Sequence, residues 1–379
     1  MQSLLLSMSG IYIHIPFCKK ACHYCNFHFS TQLERKSELV DSIVQEIHWR
    51  KDYLSDRNIN TIYLGGGTPS LLNKKELDLI FEALQQSFEI ASDAEVTLEA
   101  NPDDLTIDKL KDLASSPVNR LSIGIQSFYE EDLLYMNRSH NAVQAQECIT
   151  QAQDLGFDNL SIDLIYGSPT TSDAMWKTNV QKAIDFKITH LSCYALTVEP
   201  KTALAHMIEK QKTAAPDESK AADQFRYLID RTKAAGYQHY EISNLALDGG
   251  FSKHNTNYWM GVPYLGIGPA AHSFDQNSRQ WNIAHNIKYM KAVQNRDLEL
   301  LSEKEVLSPI DQTNEYILTS LRTMWGMDLN KVKLEEHRTQ IKTTMQKYLD
   351  EGLILHNSTY VLSEKAKFLA DGIASELFV

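Results

Sequence analysis

YIHIPFCKKACHYCNFHF, Tyr12 to Phe29, runs from a β-rich stretch into a loop that carries Cys18, Cys22 and Cys25 as C-x3-C-x2-C. Thiolates at this spacing can converge on one cofactor from a single loop. Iron–sulfur clusters are usually held by four cysteines, so three without an obvious fourth leave one iron with an open coordination position. Zinc is the competing reading, because His23 or His28 could complete a closed Cys3His site. The whole chain has five cysteines, and three of them fall within eight residues, which argues against a disulfide framework. Cys148 sits in a helical pattern and Cys193 in an apolar strand, where a small buried side chain is the expected role.

The stretch before the cysteines is the first of a series. Gly10 to Pro16, Ile59 to Gly66, Glu95 to Asn101, Arg120 to Ser127, Asn159 to Gly167 and His190 to Leu196 each read as a strand followed by a helical pattern. In Ser37 to Leu54, residues Leu39, Val40, Ile43, Val44 and Ile47 recur at spacings of three and four and share one helix face, which should pack on a sheet. Right-handed βαβ crossovers then imply a parallel sheet, as a partial (β/α)6 barrel or a doubly wound sheet. Either gathers the carboxyl ends of the strands, and the loops that do chemistry, on one side.

Beyond a polar helix at Pro216 to Gly236 and a strand at Gln238 to Ala246, the rhythm gives way to an irregular region rich in Gly, Asn, Pro and aromatics up to Phe274. From about Ser308 the pattern is helical and closes with EGLILHNSTYVLSEKAKFLADGI, which predicts a short hairpin between helices, as in a winged-helix module. The expected organisation is a barrel over 1–236, an extension over 237–307 and a mainly helical winged-helix-like domain over 308–379.

Hydrophobic residues make up 43% of the chain, enough to build a substantial core. A formal charge of −12 disfavours a broad nucleic-acid footprint. From Ser308 onward eight Lys and Arg stand against ten Asp and Glu, so packing or partner docking is expected of that module rather than DNA binding. The opening MQSLLLSMSG has no basic region typical of a signal peptide and no segment approaches membrane-spanning length, so a cytoplasmic protein is expected, starting at Met1 or Met8.

The cysteine spacing, with an aromatic at Tyr24 and a first-strand position, resembles the signature of radical S-adenosylmethionine proteins. YLGGGTPS supports it: Gly65, Gly66 and Gly67, before Thr68 and Pro69, end the second strand with backbone open to close approach by a ligand. The resemblance narrows, over nearly the whole chain, to the anaerobic coproporphyrinogen oxidase family and its HemW-type heme-chaperone relatives, through EANP (Glu99 to Pro102), RLSIGIQSF (Arg120 to Phe128), NRSH (Asn137 to His140) and IDLIYGSP (Ile162 to Pro169). It implies a [4Fe–4S] cluster on Cys18, Cys22 and Cys25, with S-adenosylmethionine on the open iron. The glycines would receive the amino group of its methionine moiety. By motif position the cofactor would be lined by Tyr12, Tyr24, Gly66, Gly67, Thr68, Glu99, Gln126, Arg138 and Asp163. On side-chain chemistry alone, Glu99, Gln126 and Asp163 could equally form a satisfied buried network.

Within this family the oxidase pattern places another cysteine two residues beyond the third ligand, where this chain has Phe27, and a longer extension ahead of the cluster loop. HNTNYW, His254 to Trp259, resembles instead the HN-x-x-YW motif of the HemW type. The resemblance thus implies a heme-binding chaperone that delivers heme to an acceptor protein, with an electron donor for the cluster. His254 is a candidate heme ligand and His272, in GIGPAAHSF, a rival. Equally, His254 and Asn255 could hydrogen-bond a loop that Tyr258 and Trp259 anchor to the barrel. The alternative activity is oxygen-independent oxidative decarboxylation of coproporphyrinogen III, and a zinc-stabilised scaffold is a third reading.

Overall fold

A computed structural model describes residues 9–379; the choice between Met1 and Met8 as the start lies outside the described residues. Six parallel strands, β1 (Ser9–Ile15), β2 (Asn58–Gly66), β3 (Glu89–Ala100), β4 (Arg120–Gln126), β5 (Leu160–Tyr166) and β6 (His190–Ala195), lie side by side in chain order. They alternate with α1 (Lys36–Trp49), α2 (Lys74–Ser87), α3 (Ile107–Ala114), α4 (Glu130–Tyr135), α5 (Ala142–Asp154) and α6 (Asp173–Asp185). β1 and β6 do not pair, so the barrel is partial, as expected.

Strand alternation explains the layering. Ile11, Ile13 and Ile15 of β1 are fully buried in one core with Leu39, Val40, Ile43 and Ile47 of α1. Intervening positions carry Tyr12 and His14, then Tyr63, Glu99, Gln126, Asp163 and Tyr194 on successive strands. Period-two geometry turns this set to the opposite, concave face. α1 stops at Trp49 rather than Leu54; Arg50 beyond it turns its guanidinium into a buried network.

After α7 (Ala203–Glu209) and α8 (Glu218–Ala234) the chain departs from the expected single strand at Gln238 to Ala246. It forms a hairpin, β7 (Gln238–Glu241) and β8 (Asn244–Ala246), with β8 antiparallel to β6. The Glu241 carboxylate makes the reversal by accepting from the Ser243 N–H and the Asn244 amide. HNTNYW is not irregular but helical, α9 (Lys253–Trp259), capped by Ser252. β9 (Tyr264–Ile267) then adds parallel to β1, and β10 (His272–Phe274) and β11 (Ser278–Asn282) follow it. Beyond α10 (Asn286–Asn295) and α11 (Leu298–Leu301), β12 (Ser302–Val306) ends a twelve-stranded sheet. The 237–307 stretch therefore extends the sheet at both edges.

One network fastens this extension to the barrel. Glu46 of α1, fully buried, accepts from Arg50 (3.1 Å), the Gly268 N–H (2.8 Å), Asn282 (2.8 Å) and the Tyr289 hydroxyl (2.6 Å). Arg50 in turn donates to the Gly266 carbonyl and to Gln280.

The rest of the chain has its own core. α12 (Pro309–Leu321), α13 (Glu335–Asp350) and α14 (Ala370–Glu376), with the hairpin β13 (Ile354–His356) and β14 (Tyr360–Leu362), bury Ile317, Leu321, Ile341, Met345 and Ile373 together. Arg322 docks it, pairing with Glu241 at 2.9 Å and lying 5.2 Å over the Trp259 ring. Among the described residues no helix is long and apolar enough to cross a membrane.

Candidate functional site

The carboxyl ends of β1 to β6 face the cysteine loop. Cys18, Cys22 and Cys25 follow β1 directly and are half-buried and unpaired by disulfides. Burial pushes the Cys18 thiol up to about 11 and raises that of Cys25; the charges of Cys25 and Cys22 raise Cys18 further, and that of Cys22 raises Cys25. Thiols so placed need a cation to be held as thiolates. Arg138 supplies a fixed one: its Nη1 donates to Cys22 Sγ at 3.2 Å and to the Tyr24 hydroxyl at 3.4 Å. Its Nη2 donates to Asn101 Oδ1 (2.6 Å) and the Gly124 carbonyl (2.9 Å), while its buried Nε has no partner. Thr68 donates from Oγ1 to Cys18 Sγ at 3.4 Å and accepts from the Asn101 amide.

The glycines make the floor of this mouth. A Cβ on Gly67 would lie 2.5 Å from the Ile15 carbonyl oxygen and 2.7 Å from the Phe17 N and O. Gly66 has φ +97, and a Cβ there would meet the His14 ring at 2.2 Å. The Gly66 N–H donates to Glu99 Oε2 at 3.1 Å, and Glu99 Oε1 accepts from the Tyr63 hydroxyl at 2.7 Å. Burial raises Glu99, and burial followed by the charge of Glu99 pushes Asp163 up to about 7. Two inward-facing carboxyls that resist joint ionisation favour a cationic guest. Gln126, at φ 63 where β4 ends, turns inward and accepts from the Tyr194 hydroxyl at 3.0 Å. Tyr12 stacks on Tyr63 with centroids 6.2 Å apart and donates to His14 Nδ1 at 3.0 Å.

Of the resemblance-derived set, Arg138 and Thr68 bond the cysteines directly and Tyr24 shares Arg138; Gly66 bonds Glu99 beside Gly67, and Tyr12, Gln126 and Asp163 lie on β1, β4 and β5 of the same sheet. The donors fit an iron–sulfur cluster and S-adenosylmethionine: three soft thiols on one loop, a glycine cradle open to close approach, an unpartnered guanidinium nitrogen and paired acids suited to a sulfonium or ammonium group. Among the described residues no three His, Cys, Asp or Glu side chains gather as a single metal ion requires. His23 Nδ1 bonds the Tyr135 carbonyl and His28 Nε2 bonds Asn286, and among the described residues neither histidine of the zinc reading bonds a thiol. Cys148 and Cys193 are buried, at 2% and 1% exposure, as expected.

His254 lies elsewhere. It packs on Gly10 and Thr61, near the amino ends of β1 and β2, at the opposite end of β1 from the cysteine loop. It is 1% exposed, and both ring nitrogens are engaged, Nδ1 with Thr61 Oγ1 and Nε2 with the Tyr258 hydroxyl, each at 2.8 Å. Its backbone N–H is taken by Glu95 at 3.0 Å. α9 closes the amino end of the barrel, with Tyr63 stacked on His254 at 5.1 Å. For iron to bind this imidazole, one of those bonds would have to be released. His272 is exposed instead, in β10 with its ring 6.2 Å from Trp281.

Asn101, Tyr63, His14 and Tyr194 join these residues and are absent from the motif-derived set. Asn101 stood inside the quoted EANP; the other three were marked by the alternation of polar with apolar residues along their strands.

The model of the radical SAM superfamily matches residues 12–183. A heme chaperone HemW of Lactococcus lactis is 33% identical over 92% of this chain and 89% of its own. One of Mycobacterium tuberculosis is 31% identical over 97% and 94%. Among solved structures, coproporphyrinogen III oxidase (HemN) from Escherichia coli superposes with a TM-score of 0.84 at 21% identity, over 100% of this chain and 93% of the other, which is a likeness of fold.

Proposed function

The chain belongs to the HemW heme-chaperone family of the radical SAM superfamily, and on that premise we propose that it binds heme and delivers it to an acceptor protein in the cytoplasm. One observation carries the reading: near full-length likeness to proteins named heme chaperones, where the oxidase likeness is one of fold. Phe27, at the position of the oxidase's additional cysteine, supports it, standing 67% exposed beside the cysteine loop.

In this reading Cys18, Cys22 and Cys25 hold a [4Fe–4S] cluster, and Arg138 steadies the charge of the Cys22 thiolate. Gly66 and Gly67 admit the amino end of S-adenosylmethionine; Glu99 and Asp163 offset its positive charge. When bound, the pair supplies one-electron chemistry at the sulfonium bond. Tyr12, Tyr63 and Tyr194 wall the barrel interior against water.

Anaerobic reconstitution with iron and sulfide, then hemin titration beside an assay of coproporphyrinogen turnover, tests the reading. Hemin binding without turnover is expected. Accumulation of protoporphyrinogen under reducing conditions would overturn the pure carrier. Cys22→Ala should lose the brown chromophore, and a full cluster in that variant would refute the ligand set.

A further inference from the structure

The geometry points to a heme seat outside the barrel, in the cleft between the segment after Cys25 and the amino end of α10, with His28 as the iron ligand; the inference rests on the heme-carrier reading. The cleft measures about 420 Å³, within the range of small-molecule sites. Its floor is apolar, formed by Phe17 and Leu39, both buried, with Met290 beside them. Its outer wall is Ile287, 47% exposed, and Phe27 (67%) and Leu33 (38%) flank its lining residues in the chain. Uncovered apolar side chains around a slot mark a place where an apolar body is held.

The polar groups divide into two roles. His28 Nε2 lies 2.8 Å from Asn286 Oδ1, an acceptor, so Nε2 carries the proton and Nδ1 keeps a bare lone pair. A second nitrogen that donates to an oxygen is how metal-binding imidazoles are held and oriented. His285 has the opposite tautomer. Its Nδ1 accepts the Lys288 N–H at 3.4 Å, so its Nε2 is a donor, suited to a propionate rather than to iron. Arg35, on the same rim, is a second donor for a carboxylate, opposed only by Glu34 among the cleft's charged residues. Its ion pair with Glu38, outside the cleft, is exposed and long, at 3.9 Å.

Inside the barrel a ring-to-ring column runs from Tyr258 through His254, Tyr63 and Tyr12 to His14. That column ends at the cleft, where His14 Nε2 donates to the His28 carbonyl at 2.8 Å and the two rings stack at 6.2 Å. The seat is therefore tied through the barrel to α9, although His254 itself lies at the far end.

The test uses the full chain with its cluster reconstituted, whose absorbance reports intact folding in each variant. Hemin and metal-free protoporphyrin are titrated into the wild type, His28→Gln, Ala284→Trp, His254→Phe and His272→Ala. Ala284 lines the cleft and is exposed, so a tryptophan there fills the slot without disturbing a core. His28→Gln should weaken hemin about tenfold or more and shift its Soret band while leaving protoporphyrin unchanged, because only iron needs the imidazole. Ala284→Trp should weaken both, and His254→Phe neither. Unchanged hemin affinity in His28→Gln and Ala284→Trp beside a binding wild type would overturn the seat, as would loss confined to His254→Phe or His272→Ala. A wild type that binds no hemin overturns the carrier reading itself.

Discussion

At Gly67 one methyl group meets backbone on both sides, the Ile15 carbonyl and the Phe17 peptide, and backbone does not move aside as a flexible side-chain end would. Gly67→Ala should therefore displace the start of the cysteine loop. The expected outcome is a soluble protein whose reconstituted iron falls well below the wild-type ratio, read by iron and sulfide analysis. His254→Phe keeps the ring stacked on Tyr63 but deletes both hydrogen bonds and leaves Thr61 Oγ1 and the Tyr258 hydroxyl short of a partner. Unsatisfied buried groups cost about 1–3 kcal/mol each, so its unfolding free energy, read from urea melts, should fall by an amount in that range or above. The cysteines and glycines were legible because their chemistry is stated by type and spacing. The position of His254 was not, since a motif names a residue without saying which end of a barrel it closes.

Among the elements, α1 shows the same division. Its apolar face could be read from spacing alone, but Glu46 and Arg50, one helical turn apart, read locally as an ordinary surface pair. They are buried because β9, β10, β11 and α10, from the far side of the barrel sequence, fold over them. Removing one partner of a buried pair costs about 3–5 kcal/mol because the other charge is left unpaired. Glu46→Ala should lower stability by about that much, and since Gly268, Asn282 and Tyr289 all bond this carboxylate, hydrogen exchange should rise first in β9 to β11 and α10. Uniform exchange across the barrel would mean that the extension is held by other contacts. The hairpin of β7 and β8 escaped the sequence for a related reason: Glu241 in a β-rich run looks like a surface position until its carboxylate is seen to bond Ser243, Asn244 and Arg322.

Taken as a whole, the molecule buries histidines that resist protonation. Burial lowers His14 and His239 to about 4 and His140 and His254 to about 3, and it lowers His190 as well. In the unfolded chain these imidazoles take up protons below about 6.5, whereas in the folded chain they stay neutral until about 4 or lower. Between those limits the unfolded state binds more protons, so stability falls as pH is lowered from about 6.5. Asp163, at about 7, and the raised Glu99 act in the opposite sense, since the folded state keeps protons there that the unfolded chain has released. The lowered histidines outnumber the raised carboxyls, so on balance unfolding takes up protons near pH 5. The urea midpoint of the cluster-free chain should therefore drop steeply from pH 7 to pH 5, before most carboxylates titrate. His254→Phe removes one of the five, so its stability should depend on pH less steeply, by about 1.4 kcal/mol per pH unit near pH 5. Parallel curves for the two proteins would show that His254 titrates normally in the fold and that the closed amino end of the barrel admits water.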